Sequence, residues 1–491
     1  MLLVLACVGP SSSDAPDPDD AADSADTAQP DSGDGGFPVD REWASIAGAP
    51  ADGLGNAVTS AGDPDADGDA DVLVSAYLGN RVCVVSAPVP AGPNALDALE
   101  TSCFTGESDA DYAGYGIAGV GDADADGVDD LMVGSIGNGD GGADAGKAYL
   151  VSGPVAPGTF ALADATATWR GENAGDYAGV ALAPASDLTA DGIPDVLVGA
   201  SGYDAAGTAG GRAYLLPGPL VAGQWMLADA YASFTGLGVV AEAVPPPHGA
   251  FGVGDFVGDA MLSPGDLDGD GFDDLVLGAS GDATLGPSTG RVAIFRGPLG
   301  SGDHPVDAAD AVYAGVAAGS YTGSPLAGPG DLTGDGRADL LVAADGAGPG
   351  YVHLLAGSSQ DGALSVAMAW ARFDGEADGD LFGFALSAGD ADGDGSVDLL
   401  VGSPASSRAG DLSGAAWLFR GPFASAGYGP DDGEPMHGQL GAGTFGSAVQ
   451  IGPDLDLDGS ADLAVGEYTG DAGGGFSGAL YIINPLNLEH P

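Results

Sequence analysis

A nine-residue pattern occurs seven times in this 491-residue chain, and no other feature restricts the fold as tightly. The copies are DPDADGDAD (63–71), DADADGVDD (122–130), DLTADGIPD (187–195), DLDGDGFDD (266–274), DLTGDGRAD (331–339), DADGDGSVD (390–398) and DLDLDGSAD (454–462). Their starts lie 59, 65, 79, 65, 59 and 64 residues apart, the period of a repeat architecture rather than of independent domains. In such an array each unit covers the apolar face of the next, so residues 39–491 read as one structure.

Position 1 of the pattern is always Asp: Asp63, Asp122, Asp187, Asp266, Asp331, Asp390 and Asp454. Position 3 is Asp65, Asp124, Asp268, Asp392 or Asp456, and a hydroxyl in Thr189 and Thr333. Position 5 is Asp67, Asp126, Asp191, Asp270, Asp335, Asp394 or Asp458, and position 6 is Gly in every copy. Position 9 is Asp71, Asp130, Asp195, Asp274, Asp339, Asp398 or Asp462. Alternate carboxylates on a tight turn converge their oxygens, and Gly lets the backbone wrap the point of convergence. Position 7 varies freely (Asp69, Val128, Ile193, Phe272, Arg337, Ser396, Ser460), as expected where the ligand is a backbone carbonyl. His and Cys are absent from all seven copies, so the donors are hard oxygens, which select Ca²⁺ over Zn²⁺. Asp and Gly are also plain turn formers. A turn, however, needs no cluster of like charges, whose repulsion is costly without a cation. All these positions are therefore candidate Ca²⁺ ligands.

A helix-flanked calcium loop needs an acid at position 12. Here that position is Val74, Val133, Val198, Leu277, Val342, Val401 or Val465, inside runs such as VLVSA (72–76) and LLVGS (399–403). Runs so short and rich in Val and Leu read as strands buried on both faces, which makes the loop the turn of a β-hairpin. Upstream, an aromatic–Gly pair opens a first strand, as in Tyr115-Gly116, Phe382-Gly383 and Phe445-Gly446. Downstream, GKAYLVSGP (146–154), GRAYLLPGP (211–219), GRVAIFRGP (290–298) and GAAWLFRGP (414–422) mark a third strand. TATWRGE (166–172) and WARFDGE (370–376) mark a fourth. Seven four-stranded units with Gly at the turns predict an all-β protein, a seven-bladed β-propeller with a calcium-binding loop in each repeat.

Against 72 acidic side chains stand 11 basic ones, a formal net charge of −61. That balance excludes sequence-independent binding of nucleic acid and docking on anionic lipid through basic residues. Residues 8–38, almost entirely Ser, Asp, Ala, Pro and Gly, read as a disordered, self-repelling tether. Ahead of them, Val4-Leu5-Ala6-Cys7 resembles the end of a bacterial lipoprotein signal, although a charged n-region is missing. Residues 1–7 thus read as a signal remnant with Cys7 as the lipidation site, the membrane being reached only through that lipid. Of the three cysteines, Cys83 and Cys103 remain, a pair that suits an oxidising compartment. They fall in the third and fourth strands of the first unit, antiparallel neighbours, which predicts a disulfide between them.

The aromatic–Gly pairs, the D-x-D-x-D-G-x-x-D loops and the Gly-Pro strand endings are together similar to the FG-GAP repeat family, which resembles the seven-bladed head of integrin α subunits. The resemblance covers residues 39–491 and departs from integrins in placing a calcium loop in all seven repeats. It implies that GFPVDREWASIAG (36–48), which aligns with the fourth-strand pattern around Trp169, completes the seventh blade, because the chain stops after the third-strand sequence ALYIINP (479–485).

Catalysis has little to rest on. His248, His304, His353, His437 and His490 are scattered, outside any nucleophile or acid–base motif. The expected function is a non-catalytic adhesion or ligand-binding module, a monomer, extracytoplasmic: at a bacterial outer membrane or cell surface through the lipid, or secreted. Its ligand is an unidentified protein or glycan. The alternatives are a passive structural surface protein and, further off, a lectin or a polysaccharide-acting enzyme on the same scaffold. Trp43, Trp169, Trp225, Trp370 and Trp417 fall mostly at strand positions and are expected in the core, and the loop of unusual length is 235–256.

Overall fold

The computed structural model describes residues 37–38, 43–99, 101–204, 210–238, 255–410, 412–438, 443–470 and 475–488. Cys7, the tether up to residue 36, His248, His490 and most of the 235–256 loop lie outside them. The described chain forms seven separate sheets in a ring. Blade 2 illustrates the unit: Ala113–Gly121, Asp130–Ser135, Lys147–Val151 and Ala167–Arg170 pair antiparallel in that order. The second strand begins at position 9 of the carboxylate pattern in six blades, and all six of its residues are buried, as in Asp71–Ala76 and Asp398–Ser403. No inside–outside alternation marks these strands because each sheet is covered on both faces by its neighbours in the ring.

Every sheet holds five strands rather than the expected four. The fifth runs parallel to the fourth and comes from the following blade, as Gly158–Ala161 does beside Thr101–Thr105 and Gly223–Met226 beside Ala167–Arg170. Its four residues in Gly158–Ala161 are all exposed, so no apolar pattern announces it. It covers the outer edge of one blade with the chain of the next. The ring closes the same way. Ala44–Ala47 is the fourth strand of blade 7, antiparallel to Ala479–Ile483, as expected. Phe37–Pro38 adds the fifth strand of blade 6 beside Met436–His437, which was not.

Glycine holds the blades at close range. A Cβ on Gly199 of blade 3 would stand 1.8 Å from the carbonyl oxygen of Gly258 in blade 4. Gly134 meets Gly179 in the same way, Gly278 meets Gly323, Gly402 meets Gly446, and Gly466 meets Gly55 across the seam. The receiving glycines all have positive φ, and in the second repeat the equivalent one is Gly114 (φ +90°). The pair expected at Tyr115-Gly116 is therefore two residues out of frame. Cys83 and Cys103 are directly opposed in register and joined as a disulfide, with Cα atoms 4.1 Å apart. One tryptophan departs from the core: Trp225, on a fifth strand, is 42% exposed, whereas Trp417 is fully buried.

Candidate metal centres

Each nine-residue loop joins the first and second strands of a blade, so all seven sit at one end of the ring. Loops are numbered here by blade. Their shape is set by backbone donors folding onto carboxylates. In every loop the N–H of the position-6 Gly donates to a position-1 oxygen at 2.7–3.1 Å. The position-7 N–H donates to Oδ1 of position 5 at 2.7–3.0 Å. That wrap needs left-handed backbone at position 6, where φ is +86° to +101°, which favours Gly. Position 4 is left-handed as well, at +57° to +82°, in Ala66, Ala125, Ala190, Gly269, Gly334, Gly393 and Leu457. The small residues in six of those places were the available signal.

In loops 2, 4, 6 and 7 the carboxylates at positions 1, 3 and 9 bring one oxygen each to within 4.8 Å of the others. Loop 1 does so with Asp63, Asp65 and Asp67. In loop 3 the Oγ1 of Thr189 is buried and has no hydrogen-bond partner, although it stands in the same turn as Asp187, Asp191 and Asp195. An orphaned hydroxyl among carboxylates, in a donor set of oxygen alone, fits a hard divalent cation. Position 7 enters the structure through its N–H, and its side chains, from Asp69 to Ser460, share no chemistry.

Position 9 differs from the other three carboxylate positions. It is buried in all seven loops. In loop 2, Asp130 accepts from the N–H groups of Ala123 and Asp124 through Oδ2 and from Gly153 through Oδ1, tying the loop to the third strand. The backbone N–H two residues beyond the third strand makes that last bond in six blades. Burial pushes Asp71 and Asp462 up to about 7 and Asp130, Asp195 and Asp274 up to about 6, and raises Asp339 and Asp398. Neighbouring loop carboxylates add to the rise and the backbone donors oppose it. A cation in the loop would reverse the sign of that local field.

The third strand also supplies residues that pattern reading missed. The side chain that directly follows it reaches the position-3 carboxylate of its own blade in five cases. Ser86 donates to Asp65 Oδ2 at 3.0 Å and Ser152 to Asp124 Oδ2 at 2.6 Å, while Asn484 donates to Asp456 Oδ2 at 3.3 Å and, more closely, to the position-5 Asp458 Oδ2 at 2.6 Å. Arg296 pairs with Asp268 at 2.9 Å and Arg420 with Asp392 at 2.6 Å.

The fold and these hairpins define a class: a β-propeller of repeated blades, each carrying a carboxylate loop at the same end. Residues 178–216, 262–295, 326–366 and 382–419, within blades 3 to 6, match the FG-GAP repeat. Integrin alpha-5 of Xenopus laevis is 28% identical over 261 residues, 50% of this chain and 21% of that protein. Integrin alpha-PS2 of Drosophila melanogaster is 29% identical over 233 residues, 44% of this chain and 15% of that protein. Human integrin alpha-X is 33% identical over 178 residues, 36% and 14%. The chain thus spans about a fifth or less of the length of these relatives. Among solved structures, BBS1N in complex with ARL6DN, soaked with mercury, is similar at 13% identity and a TM-score of 0.37, over 74% of this chain and 77% of that one. The chain is a seven-bladed β-propeller that carries four FG-GAP repeats.

Proposed function

We propose that this protein is a non-catalytic, extracytoplasmic binding or adhesion module whose propeller is held together by Ca²⁺ and whose ligand is a protein or glycan. The observation that carries the reading is the division of labour between the two ends of the ring. One end holds the seven carboxylate loops. At the other, where first strands begin and second strands end, Tyr77, Tyr115 and Tyr468 gather with Asp259, all half-buried. They come from blades 1, 2, 7 and 4, so the cluster spans the axis. Tyr77 and Tyr115 meet edge to face at 5.7 Å. Burial raises Asp259 to about 6 and Tyr77 to about 12. Phenols and one acid gathered near the axis suit a polar ligand, and propellers commonly bind ligands near the central axis.

The Cys83–Cys103 disulfide supports an oxidising location. Among the described residues no helix is long and apolar enough to cross a membrane. Attachment through a lipid on Cys7, at an outer membrane or cell surface, belongs to the same proposal, as does a monomeric state.

Free calcium at ten times Kd stabilises by about 1.4 kcal/mol per site, so seven sites supply on the order of 10 kcal/mol. Thermal unfolding in chelator and in a few millimolar Ca²⁺, with native mass spectrometry, tests the metal. Equal midpoints with no bound ion would refute it. A glycan array and a pull-down with and without calcium, comparing the native chain with Tyr115→Ala, test the binding face; the variant is expected to lose the ligand and keep its calcium.

A further inference from the structure

The residue that directly follows the third strand, and closes it off, tracks position 3 of the loop it faces. Where position 3 is Asp, that residue is a donor: Ser86, Ser152, Arg296, Arg420 or Asn484. Where position 3 is Thr189 or Thr333, it is Pro217 or Ala356, which carry no side-chain donor. The partners lie 21 to 28 residues apart, so local turn chemistry does not account for the match. Two of the five donors carry a positive charge, and each is fixed from its other side. Arg420 is also held by Glu434 and the carbonyl of Pro485, and Arg296 by Asp361. Counted over positions 1, 3, 5 and 9, the charge is −4 in loops 1, 2 and 7, whose donors are neutral. It is −4 + 1 = −3 in loops 4 and 6, and −3 in loops 3 and 5, which lack one carboxylate.

We propose that the residue directly following the third strand grades the cation sites into two tiers, loops 1, 2 and 7 tight and loops 3 to 6 weak, with Arg296 and Arg420 placing loops 4 and 6 in the weak tier. This rests on the calcium reading above. Affinity at oxygen sites is tuned by the number of charged ligands. A guanidinium paired with a ligand carboxylate occupies one oxygen in a charge-assisted bond and repels the arriving ion. It also relieves carboxylate repulsion when no ion is present. Loops 4 and 6 therefore keep their shape at low calcium, whereas loops 1, 2 and 7 depend on the cation.

The test is calorimetric titration of the chelator-treated full chain with Ca²⁺, with stoichiometry from native mass spectrometry. The native chain is expected to show three tight and four weak sites. Arg296→Ser with Arg420→Ser, copying Ser86 and Ser152, should give five tight and two weak, the converted pair tightening about tenfold or more. Arg296→Lys with Arg420→Lys should leave three and four. Ser152→Arg, which removes no existing ion pair, should give two and five even if the double variant does not fold. Seven equivalent sites in the native chain, or a tight class unchanged by both the Ser and the Arg substitutions, overturns the grading. A native chain that binds no calcium defeats the calcium reading itself, a result distinct from either.

Discussion

Glu467 should set a measurable part of the pH dependence of stability. It ends the second strand of blade 7, is 6% exposed, and accepts a hydrogen bond from the Tyr481 hydroxyl at 2.5 Å. Burial raises its carboxyl from 4.5 to about 7, against the opposing pull of that bond. A raised carboxyl keeps its proton in the folded chain at a pH where the unfolded chain has lost it. The stability it contributes is thus fully present below about 4.5 and is lost as the pH climbs through about 7. At about 1.4 kcal/mol per pH unit, a gap of roughly 2.5 units corresponds to about 3 kcal/mol. Glu467→Gln keeps the shape and cannot ionise. Thermal midpoints of native and variant, followed by circular dichroism at pH 4.5, 6 and 8 in fixed Ca²⁺, should diverge as the pH rises. The variant should lead by up to about 3 °C at pH 8, since a chain of this size shifts by roughly 1 °C per kcal/mol. A difference between the two that does not change with pH would refute the reasoning, whatever its size.

Two further outcomes follow from the packing. Gly199→Ala should lower stability by about 2–3 kcal/mol, because its Cβ would fall 1.8 Å from the Gly258 carbonyl and backbone cannot yield without parting two blades. Gly192→Ala, whose Cβ meets nothing but whose φ is +92°, should cost only about 1 kcal/mol, and equal losses at the two sites would contradict the seam argument. Breaking the Cys83–Cys103 bond, which closes a loop of 20 residues, should cost about 3 kcal/mol. A reductant should therefore lower the native midpoint by about 3 °C and leave Cys83→Ala with Cys103→Ala unmoved; an equal response in both would remove the disulfide from the account.

Much of this protein was legible from its residues because the repeat states the same local physics seven times. Asp at positions 1, 5 and 9, Asp or Thr at 3 and Gly at 6 dictate a wrapped hairpin, and the Val and Leu run behind it dictates a strand with two covered faces. Both hold whatever the rest of the chain does. The pairing of Cys83 with Cys103 and of Ala44–Ala47 with Ala479–Ile483 followed from counting strands. What the residues did not disclose depends on which blade touches which. The fifth strand is mostly exposed and has no apolar alternation of its own, although six of the seven open with Gly; only the edge of a neighbouring blade makes it a strand. Gly114, rather than Gly116, is the receiving glycine because the approach of another backbone, not the preceding aromatic residue, selects the position. Trp225 faces outward because its strand is that same added edge. The donors on position 3 lie more than twenty residues from their carboxylates, and hairpin pairing alone carries Arg296 to Asp268 and Arg420 to Asp392. Local chemistry is written along the chain, but contacts between strands and between blades exist only once the ring has closed.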